Sequence, residues 1–307
     1  MTNFVQFCVN GLTLGSVYAL IALGYSMVYG ILKLLNFAHG DVYMVGAFIG
    51  YGVLSAFGGA ADPKISIWLV LVLMFVAAMA GAAALGVVIE RFAYRPLRNA
   101  PRIAPLISAL GVSFFLEYSA QLLFGAQHRS YDAFDWAGGK LFFSGINWGP
   151  LHVPLLRIII IVSAFVLMVA LTLMVRKTRM GKAMRATSFD REAASMMGID
   201  VDHVIVFTFV LGSALAGAAG VMFALRADVS NLMGFNAGLK GFTAAVIGGI
   251  GSIPGAMFGG LFLGFAESFT QGYISGRLSD LIVFSILILI MLVRPSGLLG
   301  RADIKKV

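Results

Sequence analysis

Charge is what this 307-residue chain has least of: Asp, Glu, Lys and Arg make up 12% of it, about half of the roughly 25% usual in a soluble domain. Four long stretches, 4–32, 66–89, 158–175 and 204–225, carry no charge, and 103–125 carries only Glu117. Each reaches or approaches the run of about 20 apolar residues that crosses a bilayer. Water would not tolerate that much exposed apolar surface. The expected fold is therefore an all-α polytopic membrane protein, a bundle of about eight or nine transmembrane or re-entrant helices. One membrane domain is expected over residues 1–307, with no soluble domain attached. Cysteine is nearly missing too. Cys8 alone cannot form an internal disulfide, and it lies in the first apolar run. No Lys or Arg precedes Lys33, and 4–32 is longer than a signal-peptide core, so this run reads as a retained span.

Catalytic motifs are also absent. The chain has no Gly-x-x-x-x-Gly-Lys-Ser/Thr phosphate loop; Gly181-Lys182 lacks both the earlier glycine and the hydroxyl. It has no His-Glu-x-x-His zinc helix and no Gly-x-Ser-x-Gly elbow. His39, His128, His152 and His203 are far apart and show no ligand spacing. No residue is a candidate for catalysis, cofactor binding or metal ligation. The net charge of +8 could point to nucleic acid, but in a membrane protein the positive-inside bias accounts for it.

The basic residues set the expected topology. Lys33, Arg91, Arg95, Arg98, Arg102, the set from Arg176 to Arg191, and Arg294, Arg301, Lys305 and Lys306 are placed inside. Lys64, Arg129, Lys140, Arg157, Arg226, Lys240 and Arg277 then fall outside, as does the N-terminus. This parity requires 241–267 to return to the side from which it entered. Gly248-Gly249-Ile250-Gly251-Ser252-Ile253-Pro254-Gly255 breaks that stretch, because glycine weakens a helix and proline removes a donor. A re-entrant hairpin is expected there. Residues 126–154, rich in aromatics and glycine (Tyr131, Phe134, Trp136, Gly138, Gly139, Phe142, Phe143, Trp148), read as an external cap with a short hairpin.

Residues 176–203 are the one long charged island. Arg176, Lys177, Arg179, Lys182, Arg185 and Arg191 stand among Asp190, Glu192, Asp200 and Asp202. Local signals predict two short helices with a break at Thr187 to Phe189. Asp190 is a good N-cap, Ala193, Met196 and Met197 share a face, and Gly198-Ile199 fits a left-handed stop. A helix this short, about 10 Å, is unstable alone and needs a surface. The pattern reads as a docking element for a separate soluble protein.

Two further features stand out. Glycine is 37 of 307 residues, about 12% against roughly 7% on average. The pairs Gly11/Gly15, Gly46/Gly50, Gly212/Ala216/Gly220, Gly255/Gly259 and Gly260/Gly264 have small-xxx-small spacing, which favours close helix packing and is compatible with a pathway lined by small side chains. Asn36-Phe37-Ala38-His39-Gly40-Asp41 interrupts two apolar runs. It reads either as an interfacial turn with Asp41 capping the next helix or as part of a gate or pathway. Glu117 and Glu267 lie nearer the outer helix ends, where helix-end hydrogen bonds or partners such as Arg129 are expected rather than proton carriage.

Several motifs, in order, resemble the LivH type of inner-membrane permease subunit of ABC importers for branched-chain amino acids. They are Gly11-Leu12-Thr13-Leu14-Gly15-Ser16-Val17-Tyr18-Ala19-Leu20-Ile21-Ala22-Leu23-Gly24; Asn36-Phe37-Ala38-His39-Gly40; Glu90-Arg91 with Tyr94-Arg95-Pro96-Leu97-Arg98; Arg179-Met180-Gly181-Lys182-Ala183-Met184-Arg185-Ala186 ending at Gly198-Ile199; Phe242-Thr243-Ala244-Ala245-Val246 with the glycine break; and Arg294-Pro295-Ser296-Gly297-Leu298-Leu299-Gly300. The resemblance implies a permease without enzymatic activity, half of a translocation pathway for leucine, isoleucine or valine in the bacterial inner membrane. It implies four kinds of partner: a second, LivM-like permease, two cytoplasmic ATPases that carry ATP and Mg, a periplasmic amino-acid binding protein, and the lipid bilayer. It leaves urea or short amides open as cargo. In this reading 176–203 and the C-terminus are cytoplasmic. Gly181, Ala183, Arg185, Ala186, Asp190, Ala193, Met197, Gly198 and Ile199 form the ATPase-coupling element. The candidate pathway or gate residues are Asn36, His39, Asp41, Gly248, Gly249, Gly251 and Pro254. Two rivals are a self-sufficient secondary carrier or channel and a scaffold without a pathway; either would leave the charged island without a partner.

Overall fold

A computed structural model describes residues 2–59, 65–98, 100–101, 103–131, 145–148 and 151–300. The described helices are α1 (Thr2–Leu32), α2 (His39–Ala56), α3 (Ile67–Ile89), α4 (Ile103–Phe124), α5 (Leu155–Lys177), α6 (Arg179–Phe189), α7 (Arg191–Met196), α8 (Val201–Ala224), α9 (Met233–Gly248), α10 (Ile253–Tyr273) and α11 (Ser279–Val293). A π turn (Glu90–Tyr94) and a 3-10 turn (Arg95–Leu97) extend α3. Strands β1 (Gly145–Trp148) and β2 (Leu151–Pro154) pair antiparallel, so the described part of 126–154 contains the expected hairpin. The aromatics and glycines from Phe134 to Phe143 lie outside the described residues, as do Lys64, Arg102, Lys140, Arg301, Lys305 and Lys306.

Six helical stretches among the described residues are long and apolar enough to cross a membrane: Asn3–Leu32, Ile67–Leu97, Ile103–Phe124, Leu155–Lys177, Val201–Ala224 and Gly276–Val293. Helices α2, α9 and α10 complete the bundle. The chain is an all-α multi-pass membrane protein. Helices α1 and α8 form its centre, being 72% buried over their apolar windows, against 28% for α3, α4 and α5. Leu20, Ile21, Leu23, Met74, Ile160, Met168 and Phe209 are fully buried between them.

Inside a bilayer the hydrophobic effect does not press helices together, so close backbone approach must supply packing energy. The glycine pairs provide it. On α1, a Cβ at Gly11 would stand 2.9 Å from the Cα of Phe265, and one at Gly15 would stand 2.8 Å from the Cα of Leu261. From the other side, Gly260 lies against Ala19 and Gly264 against Gly15. Antiparallel α1 and α10 are thus nearly in backbone contact from Gly11 to Ala19, more than two turns. Gly46 meets Gly217, Gly220 meets the backbone of Tyr43, and Gly255 and Gly259 close α10 onto α9. Every pair singled out by spacing serves packing.

The break at 248–255 is where the chain turns back. Helix α9 ends at Gly248, and Gly249 (φ 104°) and Gly251 (φ 88°) occupy backbone conformations that L side chains rarely adopt. Ser252 then caps α10, accepting from the amide of Gly255 at 3.2 Å. Pro254 falls in the first turn, where its missing N–H has no helical partner to lose. The chain after α11 returns to this turn: the amides of Leu298 and Leu299 donate to the carbonyls of Ile247 (2.8 Å) and Gly248 (3.0 Å). The ends of α1, α3, α5 and α11 and the start of α8 therefore gather at one end of the bundle with Lys33, Arg91, Arg95, Arg98, Arg294 and the charged island. This is termed the basic end.

Gly264→Leu is expected to destabilise the fold, because its side chain would enter the backbone of Gly15; overpacking of this kind costs about 1–3 kcal/mol. Gly111→Ala, whose Cβ meets nothing within 4 Å, should leave stability unchanged. Thermal unfolding of both variants in detergent checks the pair.

Candidate functional site

The charged island forms two short helices at the basic end. Helix α6 begins at Thr178, whose hydroxyl accepts from the amide of Gly181 at 3.0 Å. Gly181 is buried so closely against the end of α5 that a Cβ would run into the carbonyl of Val175, and Arg185 donates to that same carbonyl. The expected break at Thr187 to Phe189 is not there. Thr187 is buried against the bundle, which lets α6 continue to Phe189, and the break falls at Asp190 alone. Asp190 caps α7 as expected, accepting from the amide of Ala193 at 3.0 Å. Gly198 (φ 81°) ends α7, and the amide of Ile199 donates to Ala194 O at 3.1 Å, the bond of a left-handed helix stop.

This element rests on the bundle through Gly181, Met184, Thr187 and Ala194. The face of α7 that sequence periodicity marks as apolar points away from it. Met196 and Met197 are each 82% exposed and Phe189 is 95% exposed. Ala186, Asp190, Ala193 and Gly198 are exposed beside them, while Ala183 and Ile199 are half-buried. Phe189 has no place in the sequence-based set, because it was assigned to a break.

The second group lies inside the bundle. After Lys33 the chain does not stay at the helix ends but folds back, and α2 starts at His39 level with Gly24 of α1. The His39 ring leaves no room for a Cβ at Gly24, and Gly24 is eight residues, about 12 Å, from the end of α1. Asn36, His39 and Asp41 are 2%, 1% and 0% exposed. Asn36 Oδ1 accepts from the hydroxyl of Tyr94 at 3.1 Å, and the His39 ring meets Tyr25 edge-on at 4.8 Å. Asp41 does not cap α2: the N-cap is Ala38, with no side-chain bond. One Asp41 oxygen accepts instead from the Ser113 hydroxyl of α4, while Oδ1 lies against Gly234 at the start of α9. Asp41 Oδ1 and His39 Nε2 are both buried without a hydrogen-bond partner. Sequence reasoning missed Ser113, Gly234 and Tyr25. Only the chain's return into the bundle brings them to Asp41.

Gly248, Gly249, Gly251 and Pro254 do not join this group. They form the turn at the basic end, packed on Gly30, Gly297 and Gly300. Lys240, expected outside, lies on α9 and binds Glu267 (2.7 Å) and Asp280 (2.9 Å), which opens α11 at the end opposite the basic end. Glu267 also accepts from Tyr18 at 2.8 Å and Gln271 at 3.1 Å. Arg129 pairs with neither Glu117 nor Glu267; it donates to Phe124 O and Tyr51. Glu117 is buried, with Oε1 unpartnered. At the basic end, Arg98 bridges Glu90 and Asp202, and Arg95 donates to Asp202 at 2.8 Å. These bonds tie the extension of α3 to the start of α8.

Residues 7–291 match the family described as branched-chain amino acid transport system / permease component. The high-affinity branched-chain amino acid transport system permease protein LivH of Salmonella typhimurium (strain LT2) is 44% identical over 305 residues, covering 99% of this chain and 98% of its own. BraD of Pseudomonas aeruginosa, a permease protein of the same description, is 43% identical over 309 residues, covering 99% and 98%. The more distant permease protein LivM of Salmonella typhimurium is 26% identical over 304 residues, covering 94% of this chain and 68% of its own. Over nearly its whole length, then, the chain belongs to the family of permease components of branched-chain amino acid transport systems.

Proposed function

We propose that the chain is one of two permease subunits of an ABC importer for branched-chain amino acids in a bacterial inner membrane, with its basic end in the cytoplasm. The observation that carries this reading is the outward apolar cluster of Phe189, Met196 and Met197 on a capped two-helix element. Three large apolar side chains amid charges fit a cleft on a soluble partner. Separate ATPases supply the motor, in keeping with the missing phosphate loop. The positive-inside bias supports the orientation. The similarity to both LivH and LivM supports a second permease of related sequence, and a periplasmic binding protein delivers the amino acid.

Gly181, Ala183, Arg185, Ala186, Asp190, Ala193, Met197, Gly198 and Ile199 transmit the ATPases' movement. Bonds from Gly181 and Arg185 to the end of α5 give the element a stiff base. ATP closure of the ATPases shifts the element and biases the permease pair between inward and outward openings. Asn36, His39 and Asp41 serve the pathway: a zwitterionic amino acid must exchange water for polar partners, and the unpartnered Asp41 Oδ1 and His39 Nε2 are available for that exchange. Gly248, Gly249, Gly251 and Pro254 form the gate-side turn, where irregular backbone is protected by packing.

Met197→Asp should lower the ATPase recovered with the tagged chain about tenfold, the scale of losing one interface hot spot, without changing the chain's own thermal unfolding. In proteoliposomes holding the assembled complex, a leucine-loaded binding protein should raise ATP hydrolysis; recovery of the chain alone, with leucine uptake driven by an ion gradient, would favour a secondary carrier. Asp41→Ala should cut leucine uptake at least about tenfold, and normal uptake by an assembled Asp41→Ala complex removes Asp41 from the pathway.

A further inference from the structure

Under α7, between the ends of α1 and α4, is a cavity of about 180 Å³ lined by Leu32, Lys33, Leu34, Arg98, Pro105 and Arg191. Three cationic side chains converge on it from three distant parts of the chain. Arg98 is 14% exposed and spends Nη1 and Nη2 on Asp202 and Glu90, leaving Nε buried without a partner. Arg191 donates Nε (2.9 Å) and Nη2 (2.5 Å) to the carbonyl of Ile31. Its pKa lies below the ordinary arginine value because it is buried and has Arg98 beside it. Lys33 is the one non-glycine residue with positive φ (55°) among the described residues, and its ammonium contacts only the Tyr29 ring, at 5.9 Å. Among the described residues no carboxylate lies within ion-pair distance of Lys33 or Arg191. Both carboxylates on this network are held by Arg95 and Arg98. Two positive charges are therefore gathered in a polar cavity without a counter-charge.

We propose that this cavity is a binding site for a phosphate group, taken by Lys33 and Arg191, with the Arg98 guanidinium adding positive potential from its wall. Guanidinium and ammonium donors to phosphate are among the strongest hydrogen bonds available, and basic pockets at helix ends take anionic headgroups. The surroundings favour a phospholipid as the source. The cavity stands at the level where α1 ends and α4 begins. Pro105 lines the cavity from the inner face of α4, while Ile103 and Ile107 on its other face are 67% and 62% exposed, so a headgroup here lies one helix width from apolar surface that acyl chains can cover. A phosphate there would tie α7, through Arg191, to the end of α1, through Lys33, so that the docking element and the bundle share one ligand. The site is separate from the proposed pathway and from the exposed face of α7.

The test is native mass spectrometry of the full-length chain, delipidated in detergent and titrated with phosphatidylglycerol, with phosphatidylcholine as the neutral control. One phosphatidylglycerol should bind ahead of all others, and Lys33→Gln should weaken it about fivefold, with a further loss on adding Arg191→Gln. Among the described residues the Lys33 side chain makes no hydrogen bond or ion pair, and the substitution keeps its backbone bond to Tyr29, so thermal unfolding of the single variant should match the parent. Arg277→Gln, on the far end of the bundle, should change nothing. If millimolar inorganic phosphate displaces the lipid, the ligand is the free anion; if it does not, the lipid headgroup is. Equal binding of the two lipids, or unchanged phosphatidylglycerol binding in Lys33→Gln and in the double variant, overturns the proposal.

Discussion

The near-contact of backbones between α1 and α10 underlies the rest of the molecule. In a bilayer, lipid chains are as apolar as leucine, and helices associate only where they fit each other better than they fit lipid. Gly11, Gly15, Gly260 and Gly264 remove side chains from that line. With α10 drawn onto α1, α9 is held on the opposite flank of α10 by Gly255 and Gly259, and the hairpin can turn at the basic end. Helix α8 packs on α1 through Gly212 and on α2 through Gly220. The polar start of α2 is enclosed by the same close packing, so a buried Asp41 follows from the distribution of glycine.

Buried charge is treated in two ways. Lys240, Glu267 and Asp280 join three consecutive helices, and Tyr18 and Gln271 occupy further positions on Glu267. A buried charge with several partners is tolerated; one left alone costs several kcal/mol, by rough estimate. Asp41 and Glu117 are less well served, each keeping one unpartnered oxygen. Ser26, Tyr43 and Thr243 in the bundle also keep a buried hydroxyl without a partner, but an unpartnered carboxylate oxygen is the costlier kind.

What the sequence revealed depended on how far away each answer lay. The Asp190 cap and the Gly198 stop were legible because their chemistry is complete within four residues. The glycine pairs were legible as packing surfaces, though not as pairs with particular partners. The hairpin at 248–255 followed from charge parity together with glycine and proline. The break placed at Thr187 to Phe189 failed because burial of Thr187 overrode local propensity. The partners of Lys240 were not legible, because counting basic residues assigns each only to a side of the membrane and Glu267 is 27 residues away. Asp41 and Ser113, 72 residues apart, have no local signal that links them.

The bonds from Leu298 and Leu299 to the end of α9 have a temporal meaning. The carbonyls of Ile247 and Gly248 find these partners in the segment that follows α11, which is made after the hairpin that it closes. Until then the carbonyls at the tip of the hairpin lack these protein donors. Completion of the hairpin is therefore coupled to synthesis of the segment after α11. A chain interrupted after α10 would carry every helix of the central pair and still present an unfinished surface, which a membrane protease could recognise as an incomplete product.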